Sequence, residues 1–334
     1  MKAARKRLRA VSNPIRIRLR ARQGDDGGFR QYVVYLAFVS ILAVFALLLW
    51  DDGFLSSSNL LNIGRQAAPI AVMAVGMAFA LASAEIDLSV GSTVALSSLV
   101  AAVVVGDHGF LVGAFAAVAT GVVVGLFNGL ITVKVRIPSF LVTLGTLGII
   151  SGIARNVNNL QSMPIRDDTF SALFGAGSLG AVSSLVVWTI IVFALGHFAL
   201  HHLRWGRHVL ATGANRESAK ASGLNTDRIR VSALVVSATA AAFAGVLLAG
   251  RLAIGRHDLG ENDLLTVIAA VVIGGTSLFG GRASIAGAVT GAVIMAMLNN
   301  GLILMGLEVA DQLIARGVII ILAVALSMRA PQES

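Results

Sequence analysis

The chain has 334 residues, of which 56% are hydrophobic and only 13% are charged. Soluble domains carry about 25% charged residues, so this composition excludes a soluble protein and indicates an integral membrane protein. The net charge of +9 lies in polar loops and one terminal segment rather than on a globular face, which argues against nucleic-acid binding. The lack of cysteine excludes disulfides and cysteine-ligated metals.

The N-terminal segment is strongly basic, with ten Lys and Arg residues before the first apolar run. It is too long and too charged for the basic region of a signal peptide, and no small-residue cleavage site follows the apolar run. We therefore expect residues 1–31 to be a disordered cytosolic tail and residues 32–328 to be the transmembrane domain. A membrane-surface segment is the alternative for the tail.

Apolar runs that match the hydrocarbon core of about 30 Å follow the tail in close succession. They are 32–50, 64–84, 90–106, 110–133, 139–154, 183–202, 231–253, 264–279, 284–305 and 309–328. These runs predict an all-α polytopic membrane protein with about ten transmembrane helices. The runs 90–106, 139–154 and 264–279 are short, so some of them are expected to be half-helices.

The distribution of Lys and Arg predicts the orientation. With the N-terminus inside, 20 of these residues fall in the tail, the inside loops and the C-terminal end, and five fall outside. We therefore expect both termini in the cytoplasm. The longest inside loop spans residues 203–230.

Two similar motifs end the fourth and ninth runs, GLFNGLITV (125–133) and MLNNGLILM (297–305). Spans that are five apart have opposite orientations, which is typical of an inverted repeat with the pathway at the interface of its halves. The similarity also fits helices that merely share small residues and leucine. The sequence thus favours an inverted repeat of two halves.

The stretch SAEIDLSVGS (83–92) places Glu85 and Asp87 between two uncharged runs. A carboxylate at membrane depth is costly unless it faces protein or water, so both are candidate functional residues. Together with Ser89 and Gly91, they predict either a lining of the translocation pathway or a helix junction. In the junction, Asp87 or Ser89 would cap the helix that follows.

Further polar residues lie within or beside the apolar runs. The candidates for the pathway among them are Asn128, Thr276, Ser277, Asn299 and Asn300. Such side chains also hold membrane helices together, which is the alternative for each. His197 and His201 have helical spacing, but they lack acidic neighbours, so we expect interfacial anchoring rather than a metal site.

The 203–230 loop contains NRESAKASG (215–223). Asn215 is suited to cap a helix and Gly223 to end one, which predicts a short amphipathic helix on the membrane surface. Exposed helices of this kind dock into grooves of partner proteins. An ordinary solvated loop is the alternative.

Four segments together resemble the membrane permease subunit of ATP-binding-cassette importers of the ribose, arabinose and xylose class. They are EIDLSVGS (85–92), NGLITVKVRIPSFLVTLGTLGIISG (128–152), GRHVLATGANRESAKASGLN (206–225) and AAVVIGGTSLFGGRASIAGAVTGAVIMAMLNNGL (269–302). The resemblance covers roughly residues 30–328. The chain departs from the family pattern at Ala84-Glu85, where Gly-Gly is usual, and at Ser218 and Ala283.

The resemblance implies a permease that moves a simple sugar across the bacterial inner membrane by alternating access, without catalysis or a cofactor. It implies three partners: a separate ATPase subunit, a second permease and a periplasmic sugar-binding protein. The residues that would couple the chain to the ATPase are Asn215, Glu217, Ser218, Ala219 and Gly223. The chain has no phosphate-binding Gly-x-x-x-x-Gly-Lys-Ser/Thr loop, so ATP would bind to the partner. The outer segment 155–168 is either the contact for the binding protein or a plain connector.

Two other functions remain open. The same machine could carry a polyol, a nucleoside or a branched-chain amino acid. A proton-coupled secondary transporter could use Glu85 and Asp87 as a proton relay. A membrane scaffold or receptor is disfavoured, because the chain has no sizeable soluble domain.

Overall fold

The computed structural model describes residues 26–157, 159–308, 310–315, 317–318 and 321. Its main helices are α1 (Asp26–Leu48), α2 (Ser57–Ala82), α3 (Val90–His108), α4 (Phe110–Lys134), α5 (Ser139–Val157), α6 (Asp168–Ser171), α7 (Ser184–His201), α8 (Arg204–Ala214), α9 (Arg216–Ala221), α10 (Thr226–Leu252), α11 (Asp263–Ile273) and α12 (Ile285–Leu304). A π-helical segment, Ala172–Ala176, follows α6. Two short antiparallel pairs join β1 (Met163–Pro164) to β4 (Ile254–Gly255) and β2 (Ser178–Leu179) to β3 (Val182–Ser183).

Most of these helices have the length and composition of membrane spans. Within the described residues, seven qualify: α2, α3, α4, α5, α7, α10 and α12. Shorter apolar helices lie at Val34–Leu48 and in α11. These observations confirm an all-α polytopic membrane protein. The number of ten spans stays a prediction, because most of the expected last span, 309–328, lies outside the described residues.

The three short apolar runs have different outcomes. Helices α3 and α5 each have 19 residues and are about 28 Å long, because each continues into polar residues beyond its apolar run. Helix α11 has only 11 residues and is followed by a non-helical turn at 274–284. Only α11 therefore has the length of a half-helix.

The first helix begins earlier than the sequence predicts. Helix α1 starts at Asp26, whereas the expected tail extends to residue 31. Residues 1–25 of that tail lie outside the described residues. The helix after the 203–230 loop also begins early, at Thr226, where Asn225 accepts a hydrogen bond from the Arg228 backbone N–H.

Helix α4 packs closely along α10 through a row of glycines at four-residue spacing, Gly121, Gly125 and Gly129. A Cβ atom at Gly125 would lie 2.5 Å from the Val235 Cα, and one at Gly129 would lie 2.8 Å from the Val231 Cα. Membrane helices gain no hydrophobic driving force from each other, so close backbone contact of this kind stabilises their association.

The two longest helices, α2 and α10, have related sets of packing neighbours. Helices α2 and α10 pack against each other; α2 also contacts α11 and α12, while α10 contacts α3 and α4. Each long helix thus packs against the two helices that follow the other. This pattern relates α2–α4 to α10–α12, and it supports the predicted inverted repeat.

We expect the variant Gly125→Ala to be destabilised by about 1–3 kcal/mol, because the added methyl group forces the backbones of α4 and α10 apart. The measurement is the thermal unfolding midpoint of the purified protein in detergent. The control is Gly106→Ala at the end of α3, where a Cβ has no neighbour within 4 Å. Equal midpoints for the two variants would contradict close α4–α10 contact.

Candidate functional site at the break between α2 and α3

Residues 83–89 form a non-helical break whose backbone is held by hydroxyls of α5. The Ile86 N–H donates to Ser139 Oγ (3.0 Å), and the Leu88 N–H donates to Thr143 Oγ1 (3.0 Å). The Thr143 hydroxyl also lies within donating distance (3.0 Å) of the Ile86 carbonyl oxygen. Peptide groups freed by a helix break inside an apolar bundle need such partners. Helix α5 therefore fixes the path of the break.

Asp87 lies at the centre of a fully buried polar network. Its Oδ1 accepts hydrogen bonds from the Ser89 N–H (3.0 Å) and the Ser89 hydroxyl (2.6 Å). The Asn128 amide on α4 donates to Ser89 Oγ (2.9 Å). Ser237 on α10 lies beside the Asp87 carboxylate, and neither its hydroxyl nor Asp87 Oδ2 makes a hydrogen bond to a described residue. The break, α4 and α10 thus meet at one carboxylate.

The expected side-chain cap of α3 by Asp87 or Ser89 is not formed. Ser89 occupies the N-cap position of α3, but its side chain makes no capping bond to the helix backbone. The Asp87 carboxylate instead closes a turn on Ser89, and the Ser92 and Thr93 hydroxyls donate to the Ser89 carbonyl (3.0 and 2.8 Å). These local bonds hold the start of α3 in place.

Gly91 joins the break to a second non-helical segment, residues 253–262 between α10 and α11. A Cβ at Gly91 would lie 2.7 Å from the Gly260 carbonyl oxygen. The second segment is fixed along α3, since the Ser98 hydroxyl lies 3.2–3.3 Å from the Arg256 backbone. The chain segments that follow α2 and α10 therefore meet inside the bundle.

Glu85 forms a buried ion pair with Arg230 on α10. The two side chains are only 4% and 11% exposed. An opposite charge with a hydrogen bond is what makes a buried carboxylate tolerable. The end of α2 is tied to the 203–230 loop a second time, because the backbone of Ala82 packs against Gly213 at the end of α8.

The 203–230 loop consists mainly of two short helices, α8 and α9. The prediction of a helix capped by Asn215 is confirmed: its side chain accepts a bond from the Ser218 N–H (2.9 Å). Gly223 follows the helix with φ +84°, and its N–H bonds back to the Lys220 carbonyl. Glu217 and Ser218 are exposed, whereas Ala219 is buried. The helix α8 was not predicted.

The other polar candidates do not join the network around Asp87. Thr276 accepts a bond from the Ser284 N–H (3.2 Å), and Ser277 accepts one from the Phe279 N–H, so both organise the turn before α12. Asn300 pairs with Asn59 of α2 through two amide hydrogen bonds of 2.8 and 2.9 Å. Its neighbour Asn299 is half-buried.

Sequence reasoning missed several residues of the site, namely Ser139, Thr143, Arg230, Ser237 and Gly213. Ser139 and Thr143 are four residues apart and therefore share one helix face, which was a usable signal. The partner of Glu85 was not recognisable, because Arg230 lies 145 positions away in a loop rich in basic residues.

We expect Thr143→Val to lower the free energy of unfolding by about 2 kcal/mol, because it leaves the partly buried Ile86 carbonyl and Leu88 N–H without the Thr143 hydroxyl. The matched control is Thr146→Val, one turn further on and equally buried. The Thr146 hydroxyl bonds only to the Val142 carbonyl of its own helix (3.0 Å). Thermal unfolding of both variants is the measurement, and an equal loss would contradict the role of α5.

Neutralising one partner of the buried pair, as in Glu85→Gln, should destabilise the protein by about 3 kcal/mol, because a buried charge loses its counter-charge. The swap Glu85→Arg with Arg230→Glu should recover part of this loss. Asp227→Asn is the control, since its ion pair with Arg216 (2.6 Å) is about half exposed on both sides, and such pairs contribute at most about 1 kcal/mol. Unfolding midpoints that are equal for Glu85→Gln and Asp227→Asn would refute a structural role for the pair.

Comparison with known proteins gives a consistent result over most of the chain. The ribose import permease protein RbsC of Escherichia coli (strain K12) is 36% identical over 293 residues, which are 86% of this chain and 91% of that protein. The L-arabinose ABC transporter permease protein AraH of Azospirillum brasilense is 34% identical over 91% of this chain and 89% of its own length. The xylose transport system permease protein XylH of E. coli (strain K12) is 29% identical over 97% of this chain and 99% of its own length.

No solved structure matches the chain. One family matches residues 59–324, which include the break, the 203–230 loop and the turn before α12. The chain belongs to this family, which is described as the permease component of the branched-chain amino acid transport system.

Proposed function

We propose that the chain is the membrane permease subunit of an ATP-driven importer, and that it moves a simple sugar across the bacterial inner membrane. The observation that carries this proposal is the attachment of the 203–230 loop to the break. Helix α9 presents exposed residues, while the loop contacts the end of α2 through Gly213 and the break through Arg230. A displacement of α9 would therefore be transmitted to the break over a short distance.

The sugar assignment is supported by the relatives. Permeases named for ribose, L-arabinose and xylose align with 86–97% of this chain. The family description names branched-chain amino acids, which makes that cargo the second candidate. A proton-coupled carrier is less well supported, because Glu85 is ion-paired with Arg230 and the similar arabinose permease is named as an ABC transporter protein.

The proposed orientation has both termini in the cytoplasm. In this scheme the loop that contains Lys134 and Arg136 lies at the same end as the 203–230 loop. Arg282 lies there too, because its neighbour Gly281 packs against Gly213 of that loop. Basic residues concentrate at that end, as they do on the cytoplasmic side of membrane proteins. The tail and the C-terminal end belong to the same side in this scheme.

We assign the ATPase subunit to α9 and the binding protein to the opposite end. That end contains the segment 158–183 and the first residues after α10, from which the chain returns into the bundle at Gly260; between them a hydrogen bond from Arg256 lowers the pKa of Asp258. Arg155 and Glu261 connect the two by an exposed ion pair of 3.3 Å. A second permease fits the exposed face of α5, where Gly145, Gly148 and Gly152 have open space around them.

The mechanism follows from these attachments. Closure of the ATPase pair moves α9, and the Arg216–Asp227 and Arg230–Glu85 pairs transmit the movement to the start of α10 and to the break. Asp87, Ser89 and Asn128 keep the break intact while it moves. No covalent chemistry takes place on this chain.

The test is ATP-dependent uptake of labelled ribose, arabinose and xylose by the complex with its ATPase and binding protein. We expect Gly223→Leu to reduce uptake at least tenfold while the chain still inserts, because it disturbs the end of α9. The control is Gly109→Leu, since Gly109 has a similar φ of +82° and equally open space but joins α3 to α4. Uptake that is normal in Gly223→Leu, or that needs no ATPase, would refute the proposal.

A further inference from the structure

A groove of about 580 Å³ lies between α4 and α10, beside the 203–230 loop. Its walls are apolar: Leu126, Leu130 and Val133 line it from α4, and Val231, Val235 and Val236 from α10. The volume is in the range of specific small-molecule sites.

Trp205 of α8 also lines the groove, and its side chain is held in place. Its indole N–H donates to the Ser232 hydroxyl (2.8 Å), and its ring packs on Phe79 at 4.9 Å between centroids. Ser232 in turn donates to the Ile229 carbonyl (2.8 Å). Both polar groups of this wall are thus satisfied within the protein, so the groove suits an apolar ligand.

The rim of the groove is cationic. Lys134 and Arg228 lie there and are exposed, and neither makes an ion pair with a described residue. The one rim carboxylate, Asp227, is neutralised by Arg216. An apolar groove below two free cations, at the ends of two membrane-spanning helices, complements a molecule with a hydrocarbon chain and an anionic head.

We propose that this groove binds one anionic phospholipid, with an acyl chain between α4 and α10 and the phosphate at Lys134 and Arg228. Basic pockets between membrane helices recognise lipid headgroups in this way. Arg228 is two residues from Arg230, so a lipid bound there steadies the start of α10, through which the loop is connected to the break. The effect on transport rests on the proposed function; the binding itself does not.

The first experiment measures lipid retained by the complete purified complex, reconstituted with phosphatidylglycerol or phosphatidylcholine, by native mass spectrometry. We expect phosphatidylglycerol to be retained selectively. The double variant Lys134→Gln, Arg228→Gln should retain at least tenfold less phosphatidylglycerol, because each cation contributes about a fivefold increase in lipid affinity. The control pair is Arg136→Gln, Arg207→Gln, which removes two exposed cations that do not line the groove.

A second variant, Leu130→Trp, fills the groove without changing its charge and should also abolish selective retention. Equal retention of the two lipids, or equal retention by the two double variants, would overturn the proposal. So would a photo-crosslink from position 130 to the ATPase subunit or a second permease, since protein would then cover the groove. Retention is measured without transport, so its failure leaves the importer assignment intact, whereas loss of ATP-dependent uptake in every lipid would count against that assignment.

Discussion

Peptide groups that leave a helix inside an apolar bundle must find hydrogen-bond partners in other helices. Residues 83–89 meet this requirement with the hydroxyls of Ser139 and Thr143. The position of α5 and the start of α3 are therefore set by the same few bonds. Asp87 extends the constraint to α4 and α10, because its partners and neighbours belong to both.

The sequence alone was sufficient for the all-α membrane class and for the positions of the break and of α9. Hydropathy indicates apolar helices, since their composition is set by the solvent they face. The break was recognisable from two carboxylates between uncharged runs, and α9 from Asn215 and Gly223. These features are local: the residues that determine them are adjacent in the sequence, so the pattern is visible without the structure.

Partners that are distant in the sequence were not predictable. The residues near Glu85 do not indicate that Arg230 is its partner. Likewise, the residues near Gly213 do not indicate that it contacts the backbone of Ala82. Helix α8 was missed although RWGRHVLATGA is amphipathic: its buried residues, Gly206, Val209 and Thr212, recur every three positions, which was a usable signal for a helix. The pair also explains a departure from the family pattern: Glu85 stands where glycine is usual, and Arg230 supplies the charge that makes it acceptable.

The contact between Gly91 and Gly260 has a mechanical consequence. The segments that follow α2 and α10 meet there backbone to backbone, with no side chain on either residue. Interlocked side chains resist sliding, because each step requires a change of rotamer and leaves a void. Two glycines present no interlocking side chains at this crossing, so the two backbones approach more closely there than other residues would allow. The Ser98 hydroxyl, which bonds to the Arg256 backbone, ties the two segments to each other beside this crossing and so fixes their relative position.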